Sequence, residues 1–228
     1  MNEDRYEIKF TLNEFGITHA LSWLAQIGAK KKYQDRDVNS LYFDNLNQDA
    51  VKDNLAGITP RFKVRLRWYE GKTLEKFDPN LEIKTRNGRL GSKILCPLPE
   101  IRKSIDTKSI FSLSEEVFQK SRRFNIAHKS INSHLLPMLI VQYQREYYEI
   151  NNGLRITIDK KIKFSDANQN IKLKFIKPIN FDQYIMELKF SQNLKLQVAN
   201  LMRSLSLTPK RLSKYLLGLA MLGYATYI

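Results

Sequence analysis

The sequence predicts an α+β fold with a predominantly antiparallel sheet. Short runs of alternating apolar and polar side chains recur along the 228-residue chain, and Asn152-Gly153 between two such runs is a hairpin signal. Helical spacing appears in only a few stretches between and after those runs. Strands are expected at Arg5–Phe10, Ser40–Asp44, Arg61–Trp68, Asn80–Arg86, Val141–Ile150, Leu154–Lys161, Ile171–Phe175 and Ile185–Phe190.

The first helix is expected over Asn13–Ala29, with Asn13 as its N-cap and Ile17, Leu21, Leu24 and Ala25 at helical spacing. A second runs from Ser114 to about Asn125. Asn193–Ser206 places Leu194, Val198, Leu201, Met202 and Leu205 on one stripe, and Pro209 then opens a last helix carrying Leu212, Leu216 and Leu219. No repeat or long linker interrupts the pattern, so residues 1–228 are expected to form one domain.

Composition narrows the class. A hydrophobic content of 43% with 27% charged residues is that of an ordinary globular chain, which argues against dominant disorder. The net charge of +15 favours an anionic partner: nucleic acid, a phosphorylated small molecule, polyphosphate or an acidic membrane. A single cysteine, Cys96, excludes an internal disulfide framework and a Cys-based zinc site, and fits a reducing, cytoplasmic compartment. The first residues are polar, unlike a secretory signal, and the apolar run Tyr215 to Ile228 is too short to span a bilayer. His19, His128 and His134 show no helical ligand spacing, so packing or surface roles are expected for them. Lys30-Lys31-Lys32 and Arg122-Arg123 read as solvated charge at helix ends, and glycine-rich phosphate loops are absent.

The chemistry lies on the strands. Residues two apart share one face, so Arg61–Trp68 divides into apolar Phe62, Val64, Leu66 and Trp68 and cationic Arg61, Lys63, Arg65 and Arg67. The same division gives Arg5, Glu7 and Lys9; Glu82, Lys84 and Arg86; Arg155, Thr157 and Asp159; and Glu187 with Lys189. Around Arg145 the same face carries Tyr143 and Tyr147. For one strand alone, a water-facing surface is the simpler reading. Recurrence on several strands changes that, because Arg matches the bidentate geometry of phosphate. Glu also precedes Lys by two residues in Glu7/Lys9, Glu82/Lys84 and Glu187/Lys189. Cations for a phosphate chain, interleaved with carboxylates for its Mg²⁺ or Mn²⁺, suit a phosphate–metal site better than nucleic acid, which is not expected as a partner.

The ordered set Arg5-Tyr6-Glu7-Ile8-Lys9-Phe10, Leu41-Tyr42-Phe43-Asp44, Lys63-Val64-Arg65-Leu66-Arg67-Trp68-Tyr69, Leu81-Glu82-Ile83-Lys84, Arg155-Ile156-Thr157-Ile158-Asp159, Met186-Glu187-Leu188-Lys189-Phe190 and Ser213-Lys214-Tyr215 resembles the VTC domain. That domain is the polyphosphate polymerase of the vacuolar transporter chaperone complex, in the triphosphate tunnel metalloenzyme superfamily. The resemblance implies an antiparallel eight-stranded β-barrel, the triphosphate tunnel, with flanking helices. It implies phosphate contacts from Lys9, Arg65, Arg67, Lys84, Arg145, Arg155, Lys189 and Lys214, to which the cationic face adds Lys63. Of these, Arg65, Arg67, Lys84, Arg145 and Lys189 are the expected catalytic set. Glu187 is the leading ligand for Mn²⁺ or Mg²⁺, supported by Glu7 and Glu82. The implied reaction moves the γ-phosphate of ATP onto a growing polyphosphate chain. Tyr42 and Tyr143 are placed beside the phosphate path or in the core.

Arg5 stands where the superfamily's hydrolytic branch often has the first of two glutamates, which favours the VTC-like branch. Membrane segments like those of the eukaryotic complex are not expected, so coupling to translocation calls for a partner membrane protein. A tripolyphosphatase or nucleoside triphosphatase, and a non-catalytic module binding polyphosphate or nucleic acid, are the competing readings.

Overall fold

A computed structural model describes residues 5–70, 78–87, 90–124, 134–150 and 153–225. The strands are β1 (Arg5–Leu12), β2 (Lys30–Asp44), β3 (Arg61–Glu70), β4 (Asn80–Asn87), β5 (Leu90–Pro97), β6 (Leu136–Glu149), β7 (Arg155–Asp166), β8 (Ile179–Phe181) and β9 (Tyr184–Ser191). The helices are α1 (Glu14–Gln26), α2 (Asp49–Ala56), α3 (Arg102–Thr107), α4 (Ile110–Ser121), α5 (Lys195–Arg203) and α6 (Lys214–Met221). Hydrogen bonding orders the strands β1-β9-β7-β6-β2-β3-β4-β5, with short β8 pairing β7 off that path. Eight strands thus form one path with β1 and β5 at its ends, not closed into a ring among the described residues; seven are the strands expected from the sequence, and β5 is the eighth.

The chain divides into two compact units. One comprises Met1–Asp37, Tyr143–Ile162 and Asn180–Ser213; the other comprises Val38–Gln142, Lys163–Ile179 and Lys214–Ile228. In the first, β1 and β9 pair along their length, and β7 pairs the other edge of β9. The alternation in β1 sends Phe10 and Leu12 inward, against Met186 and Leu188 of β9 and Ile156 and Ile158 of β7. α1 covers this face with Ile17, Ala20, Trp23 and Leu24. Asn13 caps α1 as expected, its side-chain oxygen accepting from Gly16 N at 2.9 Å. His19 has the packing role read for it, bonded through Nε2 to Leu205 O at 2.8 Å. In the second unit β3, β4 and β5 form an antiparallel ribbon. Its apolar face (Val64, Leu66, Trp68, Leu81, Ile83 and Cys96) packs with Ile105 of α3 and with Ile110, Leu113 and Val117 of α4.

Several expectations change. Ile171–Phe175 is not a strand: Lys172 makes one isolated bridge to Ser109, and Leu173–Phe175 is a 3-10 turn. Leu173 and Ile176 pack inward at a spacing of three, the period of a turn, and the strand appears later as β8. Lys30-Lys31-Lys32 opens β2 and does not end a helix. The last helix starts at Lys214, not Pro209, because the chain before it is tied to β1: Lys210 N donates to Lys9 O at 2.8 Å. α4 begins four residues early at Ile110, because Ser109 supplies the cap. His128, Asn125 and Asn152 lie outside the described residues, while Gly153 has φ +88°, a left-handed turn conformation.

Candidate functional site

Each unit carries one charged sheet face, opposite its apolar one. In the β3–β4–β5 ribbon the register sets Lys63 against Lys84 and Lys84 against Lys93, a row of three lysines across three strands. Like charges directly opposite destabilise a sheet, so an anion laid along the row would relieve them. The next level sets Arg65 against Glu82, and the one after sets Arg67 against Asn80.

Glu82 organises this face. Arg65 Nε and Nη2 lie 2.8 and 2.6 Å from Glu82 Oε2, and Lys93 Nζ donates to Glu82 Oε1 at 2.8 Å. Burial pushes the Glu82 carboxyl up, but Arg65, Arg67 and Lys93 more than reverse this and hold it down at about 2. Burial and the same two arginines lower the Lys93 ammonium, against the pull of Glu82. Arg65 Nη1 also donates to Tyr42 OH at 2.8 Å, and Arg67 Nε donates to Ser40 Oγ at 3.2 Å. Burial raises the Tyr42 phenol, yet Arg65, Arg67 and Lys214 bring it below its ordinary value. Tyr42 stacks on Tyr215 with centroids 5.1 Å apart, and Tyr215 OH donates to Asp44 Oδ2 at 2.9 Å. Asp44 Oδ1 in turn accepts from Ala50 N at the start of α2. Tyr42 is therefore both a core residue and a fixed support for Arg65.

In the other unit the register aligns Lys9, Glu187 and Thr157 in one row and Glu7, Lys189 and Arg155 in the next. Arg145 is clamped bidentately by buried Asp159, Nε to Oδ1 at 2.6 Å and Nη2 to Oδ2 at 2.8 Å, and lies over the Tyr143 ring at 5.1 Å. Burial opposes its charge, but Asp159, Tyr143 and Glu187 keep the guanidinium firmly protonated. Glu187 is only 5% exposed. Lys189 Nζ lies 3.0 Å from Glu187 Oε1, yet that oxygen accepts no hydrogen bond among the described residues, and neither does neighbouring Thr157 Oγ1. A buried carboxylate oxygen without a donor costs free energy that a bound cation would recover. Lys9 Nζ is 2.9 Å from Glu7 Oε1 and donates to Leu212 O at 3.3 Å. Arg155 is exposed and pairs with Glu149 at 3.6 Å.

The expected residues therefore fall into two groups: Lys63, Arg65, Arg67, Lys84, Glu82 and Lys214 in one unit, and Glu7, Lys9, Arg145, Arg155, Glu187 and Lys189 in the other. Among the described residues no three of His, Cys, Asp and Glu form a group that holds an ion unaided, so a metal at Glu187 needs water or phosphate oxygens as well. Both Glu82 oxygens already face cations. Lys93 was not anticipated, because Gly91 and Pro97 obscure β5; the signal was the alternation of Ser92, Ile94 and Cys96 with Lys93 and Leu95. Alternation puts Asp159 on the charged face, but its clamp on Arg145 is not legible in the sequence.

The family model for the VTC domain matches residues 4–223, running through both units. The chain belongs to the VTC domain family. No curated protein sequence matches it. Solved structures similar to this VTC domain include HpAC1 from Hippeastrum, described as having a dominant triphosphatase activity, at TM-score 0.53 and 15% identity over 96% of each chain. Another is an adenylate cyclase-like protein from Vibrio parahaemolyticus, at TM-score 0.53 and 10% identity over 94% of this chain and 97% of that one. A third is the PH1819 protein from Pyrococcus horikoshii, at TM-score 0.52 and 13% identity over 96% and 98%. Likeness at such low identity shows a shared fold.

Proposed function

We propose that this VTC domain is a metal-dependent, cytoplasmic polyphosphate polymerase. The bond between the γ-phosphorus of ATP and its bridging oxygen breaks, a bond from that phosphorus to the terminal oxygen of a polyphosphate chain forms, and ADP leaves. The observation that carries this reading is the β3–β4–β5 face, where Arg65 and Lys93 hold buried Glu82 between them and Lys63, Lys84 and Lys93 stand in one row across the three strands. Cations crowded on one sheet face are stabilised by a polyanion better than by water.

The side chains contribute position and charge. Glu82 and Tyr42 fix Arg65, and Asp159 fixes Arg145, so their guanidinium groups meet phosphate oxygens without reorganising. Lys9, Lys63, Lys84, Arg155, Lys189 and Lys214 add charge for the remaining phosphates. Glu187, supported by Glu7, would hold Mn²⁺ or Mg²⁺; the buried Glu187 oxygen, which faces Lys189 at 3.0 Å but accepts no hydrogen bond among the described residues, supports that reading. When bound, the ion neutralises developing charge on phosphate oxygens.

Incubation with ATP and Mn²⁺ and electrophoresis of the products tests the proposal. A ladder of polyphosphate supports it, and absence of polymer with every metal and primer contradicts it. The second reading, a triphosphatase, is favoured by the activity described for the similarly folded HpAC1. Orthophosphate release without chain growth would select it. Arg65→Ala and Arg67→Ala are expected to abolish phosphate binding, whereas Glu187→Ala chiefly removes metal-dependent turnover; wild-type behaviour of all three would overturn the site.

A further inference from the structure

The stretch between Asp166 and Asp182 carries Lys172, Lys174 and Lys177 without one acidic residue. The structure fastens it firmly. Lys172 bridges Ser109, Ile110 N donates to Ile171 O at 2.9 Å, and the 3-10 turn is closed by Phe175 N to Lys172 O at 3.0 Å. Leu173 and Ile176 are packed into the core of their unit. That anchorage leaves Phe175 64% exposed, flanked by exposed Ile171 and Ile179. Lys174 Nζ stands 5.0 Å from the Phe175 ring centroid. Lys108, next to the bridge, is already paired with Glu116 at 3.0 Å.

A large aromatic side chain held in water by an anchored turn, with Lys174 over its ring and Lys172 and Lys177 exposed on the same stretch, matches the gradient of a lipid interface. The ring suits the headgroup boundary, and the ammonium groups suit lipid phosphates and carboxylates. We propose that the 171–179 turn is a peripheral docking surface for an anionic bilayer, with Phe175 entering the headgroup layer and Lys172, Lys174 and Lys177 meeting its charge. Nucleic acid would use the lysines but has no use for aliphatic Ile171 and Ile179, so the mixed character favours lipid. Each lysine near an anionic leaflet is worth roughly fivefold in affinity, so the three together amount to roughly a hundredfold.

Co-sedimentation of the full chain with vesicles of phosphatidylcholine and phosphatidylserine, against phosphatidylcholine alone, tests this. Binding is expected only to the anionic vesicles. It should weaken roughly a hundredfold in Lys172→Gln/Lys174→Gln/Lys177→Gln and roughly tenfold in Phe175→Ser, with circular dichroism unchanged. Equal binding to neutral vesicles, or anionic binding that survives both variants, overturns the proposal. An oligonucleotide that displaces the vesicles, and whose own binding depends on the lysines but ignores Phe175→Ser, assigns the turn to nucleic acid and overturns it too.

Discussion

Glu82 sits between Arg65 and Lys93 with its carboxyl held down at about 2, so its charge contributes to stability wherever the unfolded chain would begin to bind a proton there. The folded value lies below the ordinary 4.5, so this contribution is fully present above about pH 4.5 and is lost as pH falls toward 2. The shift corresponds to about 3 kcal/mol. Urea titrations of wild type and Glu82→Gln should differ most near neutral pH and converge between pH 4.5 and 2; a constant gap across that window would contradict the ion-pair assignment. Asp159 is the harsher case, being fully buried beneath Arg145. Asp159→Asn should cost about 3–5 kcal/mol, because it strands a buried guanidinium. A loss under 1 kcal/mol would show the clamp to be dispensable. At this scale, period-two alternation revealed which residues share a face, Arg65 with Arg67 and Glu187 with Lys189. It did not reveal cross-strand partners such as Tyr42 and Asp159, since register is set by packing and turns distant in sequence.

Among the elements, α6 is defined by how closely it approaches the sheet. A Cβ at Gly218 would stand 2.5 Å from Phe164 Cδ1 and 2.7 Å from Leu139 Cδ2. Overpacking of this kind costs about 1–3 kcal/mol, which outweighs the gain of up to about 1 kcal/mol in helix propensity. Gly218→Ala should therefore lower the midpoint of thermal unfolding, and a raised midpoint would show that the sheet yields at that contact. Long or well-capped elements were legible: α1 from Asn13 and its apolar spacing, and β3 from its alternation. The short ones were not. α2 is polar and ends on left-handed Gly57, and β5 holds a glycine, so each is stabilised by tertiary pairing more than by local preference. The Ile171–Phe175 turn imitates a strand because its lysines alternate with apolar residues, although only Leu173 and Ile176 pack into the core.

For the whole molecule, β2, β6 and β7 each contribute residues to both compact units, so neither unit is a continuous piece of sequence. That threading explains why the sequence reads as one uninterrupted domain, and the family match likewise runs from residue 4 to 223. A net charge of +15 makes any phosphate affinity steeply dependent on ionic strength, so binding is best compared at one fixed salt concentration. The central claim is that the charged strand faces bind a phosphate chain, and calorimetric titration with tripolyphosphate and Mn²⁺ tests it most directly. Wild type should bind, Arg65→Ala and Arg67→Ala should not, and Lys172→Gln on the 171–179 turn should bind as wild type does. Undiminished binding in both arginine variants, or no binding by wild type, would contradict the account.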